Sequence, residues 1–136
     1  MKRFTCFSLV IAMILALTFT GCKKYENGPA FSLASKKSRV VNNWKVEKAT
    51  AFDGTDETSY YSDMSLEFKK DNTYLEMESG SSYVGTWAFD GDKEKIVLTE
   101  NGNSSSDTYI ILRLKSNELW LKETSSYPEE IHFASK

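Results

Sequence analysis

Residues 64–78 read Met-Ser-Leu-Glu-Phe-Lys-Lys-Asp-Asn-Thr-Tyr-Leu-Glu-Met-Glu. On both sides of the central Lys-Lys-Asp-Asn, apolar and polar residues alternate, which is the period of a strand with one buried face. The central residues are typical of a tight turn, because Asp and Asn readily adopt the backbone conformations that turns require. The stretch predicts a β-hairpin in which Leu66 and Phe68 on the first strand, and Leu75 and Met77 on the second, face a core.

The same alternation continues through the chain from Asn43 onward. Eight segments carry one apolar face each, and turns rich in Gly, Asn, Asp or Ser separate most of them. The residues predicted to face inward are Trp44, Val46, Met64, Leu66, Phe68, Leu75, Met77, Gly85, Trp87, Phe89, Ile96, Leu98, Ile110, Leu112, Leu114, Leu119, Leu121, Ile131 and Phe133. The longest interruption runs from Phe52 to Tyr61 and predicts a large loop between the first two strands.

Eight strands joined mainly by short turns favour an all-β, antiparallel, up-and-down arrangement. Closing such a sheet into a barrel removes the two open edges that would otherwise promote aggregation. The interior of an eight-stranded barrel is either filled by side chains or holds one small ligand. Large rings fall on the inward phase at Trp44, Phe68, Trp87, Phe89 and Phe133. We therefore expect a mostly packed core, with any cavity confined to one mouth of the barrel.

A short helix is predicted just before the first strand, from Ser32 to Val41. Ser32 or Ser35 is a suitable N-cap, since a serine hydroxyl can accept a hydrogen bond from a free amide of the first turn. The basic cluster formed by Lys36, Lys37 and Arg39 has two interpretations. It lies against lipid head groups, or it is a solvated helix face, which is the commoner situation.

The N-terminus has the pattern of a bacterial lipoprotein signal. Lys2 and Arg3 precede an apolar run from Phe7 to Phe19, which is too short for a convincing membrane-spanning helix. Gly21-Cys22 follows, so we expect cleavage before Cys22 and lipidation of its thiol. The alternative is an ordinary secretory signal that leaves Cys22 as a free thiol. A lipoprotein cysteine carries two or more acyl chains, which is enough for stable membrane anchoring.

This interpretation divides the chain into a signal peptide (1–21), a lipidated cysteine with its tether (22–31) and a barrel domain (32–136). The second cysteine of the chain, Cys6, lies inside the signal, so the mature protein is predicted to have no disulfide, thiol nucleophile or cysteine metal site. Lys23 follows Cys22, whereas Asp at that position resembles an inner-membrane retention signal. We expect an outer-membrane lipoprotein on the periplasmic or the cell-surface face.

The charge balance of the chain is mildly acidic. Its 17 basic residues include Lys2 and Arg3 of the predicted signal, and they stand against 19 acidic residues. A nucleic-acid-binding protein would need a basic patch, which this balance does not favour. We expect a monomer that contacts the membrane through its lipid anchor and does not bind nucleic acid.

Several stretches resemble the lipocalin-like domains of lipoproteins from Bacteroidota-type bacteria. They are Cys-Lys-Lys-Tyr-Glu-Asn-Gly-Pro at 22–29, Ser-Lys-Lys-Ser-Arg-Val-Val-Asn-Asn-Trp-Lys-Val-Glu-Lys at 35–48, Leu-Glu-Phe-Lys-Lys-Asp-Asn-Thr-Tyr at 66–74, Gly-Thr-Trp-Ala-Phe at 85–89 and Asn-Glu-Leu-Trp-Leu at 117–121. Trp44 matches the Trp of the lipocalin Gly-x-Trp pattern, while Asn42 replaces its Gly. Larger lipocalins place a late Arg against this Trp, but the outward phase of Arg113 argues against that role. The resemblance implies a lipocalin-like barrel on a lipid anchor and implies no particular ligand.

Residues that could support catalysis or metal binding are sparse. His132 is the sole histidine and falls on an outward phase, as solvated histidines commonly do. Asp53, Asp56 and Glu57 share one loop, but their spacing does not match the twelve-residue calcium loop, so a solvated loop is favoured. We expect neither an enzyme nor a metal or cofactor site. Trp120 also falls outside, where it covers a seam of the barrel or contacts a partner.

Two functional hypotheses remain. In the first, a small apolar ligand enters one barrel mouth, contacts Trp44, Phe68, Trp87 and Phe89, and lies beneath a rim formed by residues 52–61. In the second, the core is packed and the protein is an envelope interaction module that docks a protein or glycan through its loops or Trp120.

Overall fold

The computed structural model describes residues 33–136, which form a barrel of eight strands preceded by a short helix. The predicted signal peptide, Cys22 with its tether, and Ser32 lie outside these residues. The elements are α1 (Lys36–Val40), β1 (Asn43–Thr50), a 3-10 helix (Thr58–Tyr61), β2 (Ser65–Phe68), β3 (Thr73–Glu78), β4 (Ser81–Phe89), β5 (Lys95–Glu100), β6 (Asp107–Leu114), β7 (Glu118–Glu123) and β8 (Glu130–Ser135). No helix within the described part is long and apolar enough to cross a membrane.

The strands form a closed antiparallel barrel in chain order. Each strand pairs with the next, and β8 returns to pair with β1, where Trp44 lies opposite Ser135 and Val46 opposite Phe133. The up-and-down barrel predicted from the alternation is therefore confirmed. Because every connection reverses direction, the turns after β2, β4 and β6 share one end of the barrel with α1. The connections after β1, β3, β5 and β7 form the other end.

The end that carries α1, called the closed end, is sealed by the helix and by two indole hydrogen bonds. Ser35 caps α1 by accepting a hydrogen bond from the Ser38 amide at 3.1 Å. The Trp44 indole donates to the Val40 carbonyl at 2.9 Å, which ties the helix to the first strand. The Trp87 indole donates to the Lys69 carbonyl at 3.1 Å in the β2–β3 turn. Satisfying both indole N–H groups lets the large rings be buried without leaving polar atoms unpaired.

Arg39 corrects the predicted role of the basic cluster on α1. Its side chain is buried, and its guanidinium donates a hydrogen bond to the Leu114 carbonyl at 2.6 Å. It therefore lies neither on a solvated helix face nor against lipid, and it joins α1 to the end of β6. Lys37 donates to the Asn72 side chain, and Lys36 donates to the Lys93 carbonyl at 3.2 Å.

The predicted inward phase of β3 is wrong. Phe68 lies directly opposite Tyr74, and because opposite residues share a face, Tyr74 and Glu76 point inward while Leu75 and Met77 point outward. Tyr74 is 5% exposed and Met77 is 49% exposed. Gly85 lies opposite Tyr74 on β4, and its missing side chain leaves the space that the tyrosine ring occupies.

The strict alternation predicted for β6 is also wrong. Ile111 is buried whereas Ile110 is 36% exposed. The register with β7 shifts between Ile111 and Arg113, so an extra residue in β6 restores Leu114 to the inner face. A similar shift against β8 lies between Val46 and Lys48 in β1, after which Ala49 is buried.

Candidate functional site

The four aromatic residues predicted to bind a ligand lie together at the closed end. Trp44, Phe68 and Trp87 are buried and Phe89 is partly buried. Trp87 makes edge-to-face contacts with Phe68 and Phe89, at ring-centre separations of 5.3 and 5.5 Å. Residues 52–61 lie at the opposite end, so the predicted mouth that combined these rings with that rim is wrong. Whether any of the four contacts a ligand stays a prediction.

A cavity lies at the end opposite α1, which we call the mouth. Its volume is about 20 Å³, and it is lined by Met64, Leu66, Glu76, Leu98, Tyr109, Leu121, Ile131 and Phe133. Space of that size holds roughly one water molecule. Glu76 is the single charged residue in this lining. The core is thus mostly packed, as the ring content of the sequence predicts.

A groove opens beside the cavity on the rim of the mouth. It has a volume of about 240 Å³ and is lined by Asp107, Thr108, Tyr109, Glu123 and Ser125. Tyr109 lines both the groove and the cavity, so its side chain is part of the wall between them.

Strand register places five carboxylates on the inner face of the mouth, namely Glu78, which follows Glu76 at the strand period, and four that lie opposite core residues. Directly opposite residues of an antiparallel pair share a face of the sheet. The relevant pairs are Leu66 with Glu76, Gly85 with Glu100, Leu98 with Asp107, and Tyr109 with Glu123. Leu66, Gly85, Leu98 and Tyr109 all belong to the core or pack against it, so their acidic partners also point inward.

The Glu76 carboxylate is partly buried and has no hydrogen-bond or ion-pair partner within residues 33–136. Burial raises its pKa above the ordinary glutamate value, and the nearby acids Glu78, Asp107 and Glu100 raise it further. Removing water penalises the charged form, and like charges add to that penalty. The pKa of Tyr109 is also raised, first by burial and then by the charge of Asp107.

A lid segment, residues 51–64, lies at the mouth. The Tyr61 hydroxyl at the end of its 3-10 helix donates a hydrogen bond to Glu129 in the β7–β8 connection. Phe52 packs edge-to-face on Tyr127 of the same connection, with ring centres 4.9 Å apart. Burial and the Glu129 carboxylate raise the pKa of Tyr61, so its hydroxyl keeps the proton that it donates. Two side-chain contacts therefore join the lid segment to the β7–β8 connection, and the Thr58 hydroxyl, which accepts a hydrogen bond from the Ala49 amide at 3.0 Å, joins it to β1.

The acidic residues of the lid segment shape its backbone. The Asp53 carboxylate accepts a hydrogen bond from the Thr55 amide at 3.0 Å, and the Asp56 carboxylate accepts one from the Thr58 amide at 2.9 Å. The amide and side chain of Thr55 lower the pKa of Asp53, and the side chain and amide of Thr58 lower the pKa of Asp56, because hydrogen bonds favour the charged form. Within residues 33–136, no group of three or more His, Cys, Asp or Glu side chains is arranged to hold a metal ion.

The outer face of β6, β7 and β8 carries a row of stacked side chains. The Trp120 ring lies parallel to the His132 ring at 3.9 Å, and the Arg113 guanidinium lies 4.6 Å from the Trp120 ring centre. His132 is bonded to Glu130 at 2.7 Å, and Arg113 forms an ion pair with Glu118. Neighbours from the same sheet thus cover both faces of Trp120, which favours the seam over the partner-contact interpretation.

Glu76 and Tyr109 line the cavity, although the residue pattern of the chain did not predict it. Glu76 was assigned outward because Leu75 and Met77 are the more apolar pair on β3. The register of Phe68 with Tyr74 determines the phase instead, and an aromatic ring at 74 opposite a glycine at 85 was the available signal.

Comparison with known proteins supports the fold. No protein-family model and no curated protein matches the chain. A lipocalin-like protein from Bacteroides uniformis matches with a TM-score of 0.60 at 14% identity, covering 72% of this chain and 99% of that one. A DUF4847 family protein from Bacteroides vulgatus matches with a TM-score of 0.52 at 16% identity, covering 72% and 94%. At these identities the likeness concerns the fold, and it confirms the resemblance to lipocalin-like proteins of this bacterial group.

Proposed function

We propose that this protein binds a small, largely apolar ligand through the mouth of its lipocalin-like barrel. The observation that carries the proposal is the difference between the two ends. The interior of the closed end is packed with rings and sealed by α1, and the groove of about 370 Å³ at that end is lined by Ser35, Lys37, Ser38, Val41 and Lys70 rather than by the inner faces of the strands. The mouth has a cavity that reaches the core, an adjoining groove and a lid segment. Recognition commonly resides in loops that a rigid scaffold positions, and barrel mouths are frequent ligand sites.

Ligand entry requires the mouth to open. Pockets for small molecules typically have volumes of roughly 300–1,000 Å³, far above the cavity volume of about 20 Å³. The outer part of the lid segment has few buried contacts, since Phe52 and its partner Tyr127 are 61% and 69% exposed, whereas Tyr61 packs against the core. Segments with few buried contacts open at low free-energy cost. We therefore expect the lid segment and Tyr109 to move when a ligand binds.

Titration with N-phenyl-1-naphthylamine, a neutral apolar dye that fluoresces in apolar surroundings, tests ligand binding at the mouth. The Ile131→Phe variant adds bulk to the cavity wall and should weaken dye binding. The matched control Leu119→Met changes a core residue of the closed end at nearly constant volume and should leave binding unchanged. Equal binding by wild type and Ile131→Phe would place the dye elsewhere, and absence of dye binding would contradict the proposal.

The alternative, an interaction module with a packed core, is favoured by the small cavity and by rings exposed at the mouth. Phe52, Tyr60 and Tyr127 project there, and Tyr60 is 74% exposed. If this alternative holds, the protein binds no apolar dye but binds envelope glycans or a defined envelope protein. Tyr60→Ala, which leaves the lid contacts intact, should then abolish that binding. Retention of binding in this variant would count against the exposed rings as the docking surface.

We also propose that a lipid on Cys22 holds the barrel at the outer membrane. The basic start, the apolar run from Phe7 to Phe19 and the small Gly21 before Cys22 support this assignment. Cys22→Ala should abolish incorporation of labelled palmitate and release the protein from the membrane fraction. Cys6→Ala, the matched control inside the predicted signal, should leave both unchanged. A Cys22→Ala protein that is cleaved and still sediments with membranes would contradict the anchor.

A further inference from the structure

We infer that the ligand of the mouth is an organic cation with an apolar body, such as an alkylamine or a quaternary ammonium compound, and that Glu76 recognises its charge. This inference rests on the proposed function and specifies the class of ligand. It starts from the composition of the cavity wall, where one carboxylate stands among apolar and aromatic side chains.

The carboxylate of Glu76 lacks a counter-charge. The charged groups that act on it, Glu78, Asp107 and Glu100, are all acidic, and no residue between 33 and 136 donates a hydrogen bond to it. A partly buried charge without a partner is costly, and a charge-assisted hydrogen bond removes much of that cost. An ammonium group at this position would supply the missing partner.

The groove beside the cavity is also lined by acidic residues. Its wall contains Asp107 and Glu123 and neither Lys nor Arg. Register places both acids on the inner face together with Glu100. A ligand that moves along this wall from solvent to the cavity thus meets carboxylates at each step. Fatty-acid-like anions would be repelled and cations attracted.

The loops and strand ends around the mouth add further negative charge. Residues 51–64 and 124–129 contain no Lys or Arg, and their acidic residues are Asp53, Asp56, Glu57, Asp63 and Glu129. Five strands also begin or end at the mouth with an acid, namely Glu78, Glu100, Asp107, Glu123 and Glu130. The basic residues nearest to the rim are Lys48 on β1 and Lys122 on β7. A concave site lined by one sign of charge concentrates the field and raises the local concentration of oppositely charged ligands.

Most of the cavity wall is apolar and could contact the apolar part of the ligand. Leu98, Leu121 and Ile131 line the cavity from β5, β7 and β8, whereas Glu76 lines it from β3. One molecule can therefore place an alkyl group against the leucine and isoleucine side chains while its ammonium group contacts the carboxylate. This division favours a cationic amphiphile over an inorganic cation or a hydrophilic polyamine.

Three ten-carbon probes that differ only in the head group test the inference: decylammonium, decanol and decanoate. They are titrated by calorimetry into the purified protein at about pH 7.5, below their micelle concentrations. Decylammonium should bind roughly tenfold or more tightly than decanol, as a hydrogen bond to a charged group predicts, and decanoate should bind most weakly. Glu76→Gln should remove the advantage of decylammonium and leave decanol affinity unchanged.

Asp92→Asn is the matched control, because it removes the same charge from an exposed position in the β4–β5 turn, at the closed end and away from the mouth. It should preserve the preference for decylammonium. If all three probes bind equally, or if decanoate binds best, the cationic class is wrong while the proposed function stands. If the preference survives Glu76→Gln, the assignment to Glu76 is wrong. If no probe binds, the proposed function fails together with the inference.

Should Glu76→Gln prove unstable, Glu100→Gln gives a second test on the same wall. Glu100 lies on the inner face opposite Gly85, and its charge contributes to the field around Glu76. It should reduce the decylammonium preference by a smaller factor than Glu76→Gln. An unchanged preference in Glu100→Gln would contradict the role of the inner-face carboxylates.

Discussion

At the scale of single residues, Glu76 and Gly85 show how side-chain size and charge are distributed around the mouth. Glu76 places a charge where most of the wall is apolar, so it lowers the stability of the empty barrel at neutral pH. Gly85 matters through its small size, because the space beside it is filled by the Tyr74 ring and the β5 backbone. A Cβ atom at this position would lie 2.2 Å from the Thr99 carbonyl oxygen and 2.6 Å from the Tyr74 ring.

Glu76→Gln should stabilise the protein at neutral pH. Because the pKa of Glu76 is raised above 4.5, the folded protein holds this proton more tightly than the unfolded chain does. Its favourable contribution is therefore full below about pH 4.5 and is lost as pH rises through the folded pKa. Urea unfolding should show Glu76→Gln to be more stable by about 1 kcal/mol at pH 7.5, with the difference shrinking towards pH 4.

The control for this pH profile is Asp71→Asn, which should show the opposite sign. Hydrogen bonds from Thr73 lower the pKa of Asp71, so its contribution is present above the unfolded pKa and is lost as pH falls. Parallel profiles for the two variants would contradict the assigned environments.

Gly85→Ala should destabilise the barrel by about 2 kcal/mol, the usual cost of overpacking a well-filled core. The added methyl group meets backbone atoms of β5, which cannot move independently of the sheet. Thermal unfolding of Gly91→Ala is the comparison, since no atom lies within 4 Å of the position where its Cβ would be built. A Gly85→Ala protein as stable as Gly91→Ala would show that the Tyr74 ring has room to move away.

At the scale of elements, the stacked row of Arg113, Trp120 and His132 joins three consecutive strands on their outer face. Trp120 lies opposite both Arg113 and His132 in the register, so antiparallel pairing alone brings the three side chains together. Stacked aromatic pairs contribute roughly 0.5–1.5 kcal/mol beyond the area that they bury. The row therefore stabilises the region where β6 carries its extra residue.

A double-mutant cycle with Trp120→Ala and His132→Ala should give a coupling free energy of about 1 kcal/mol, as expected for side chains in direct contact. Unfolding free energies at one fixed pH supply the four corners of the cycle. Trp120→Ala combined with Val84→Ala is the control, because Val84 lies on β4 and has no contact with the row. Zero coupling between Trp120 and His132 would show that their stacking contributes nothing to stability.

The sequence predicted the positions of the strands better than it predicted which side chains of β3 and β6 face the interior. Turn residues and alternation located all eight strands, because the chain reverses at nearly every polar cluster. The phase of β3 could not be determined locally, since Tyr74-Leu75-Glu76-Met77 offers apolar side chains on both faces. The extra residue in β6 lies within Ile110-Ile111-Leu112, where every side chain is apolar and the period gives no signal. The cavity depends on both errors being corrected, so it could not be predicted.

At the scale of the whole molecule, the two ends of the barrel differ in charge as well as in packing. The mouth is strongly acidic, whereas the closed end is mixed: α1 and the β2–β3 turn carry Lys36, Lys37, Lys69 and Lys70, and the acids Asp71, Asp90, Asp92 and Glu94 lie in the turns of the same end. A predicted lipid anchor would enter the domain beside α1. Anionic lipid surfaces attract basic residues by about 1 kcal/mol each and repel acidic ones.

We therefore predict that the lipidated protein stands on an anionic vesicle with its closed end towards the lipid. A fluorophore on Asn72→Cys, in the β2–β3 turn, should be quenched by a lipid-borne acceptor more strongly than one on Asp63→Cys, in the lid segment. Raising the salt concentration should reduce the difference, because charge on exposed residues is screened. Equal quenching of both labels in dilute buffer would show that the tether leaves the barrel without a preferred orientation.

The pairing of β8 with β1 also has a consequence for how the chain acquires its fold. Trp44 and Ser135 are paired although nearly the whole domain separates them in sequence, so the barrel cannot close until the last strand has been made. The other seven pairings join consecutive strands, so this one should form last, because a large loop must be closed before its contacts form. A nascent chain lacking residues 130–135 would leave two strand edges unpaired. If the chain is exported as its N-terminal signal predicts, it would therefore reach the far side of the membrane before its barrel has closed.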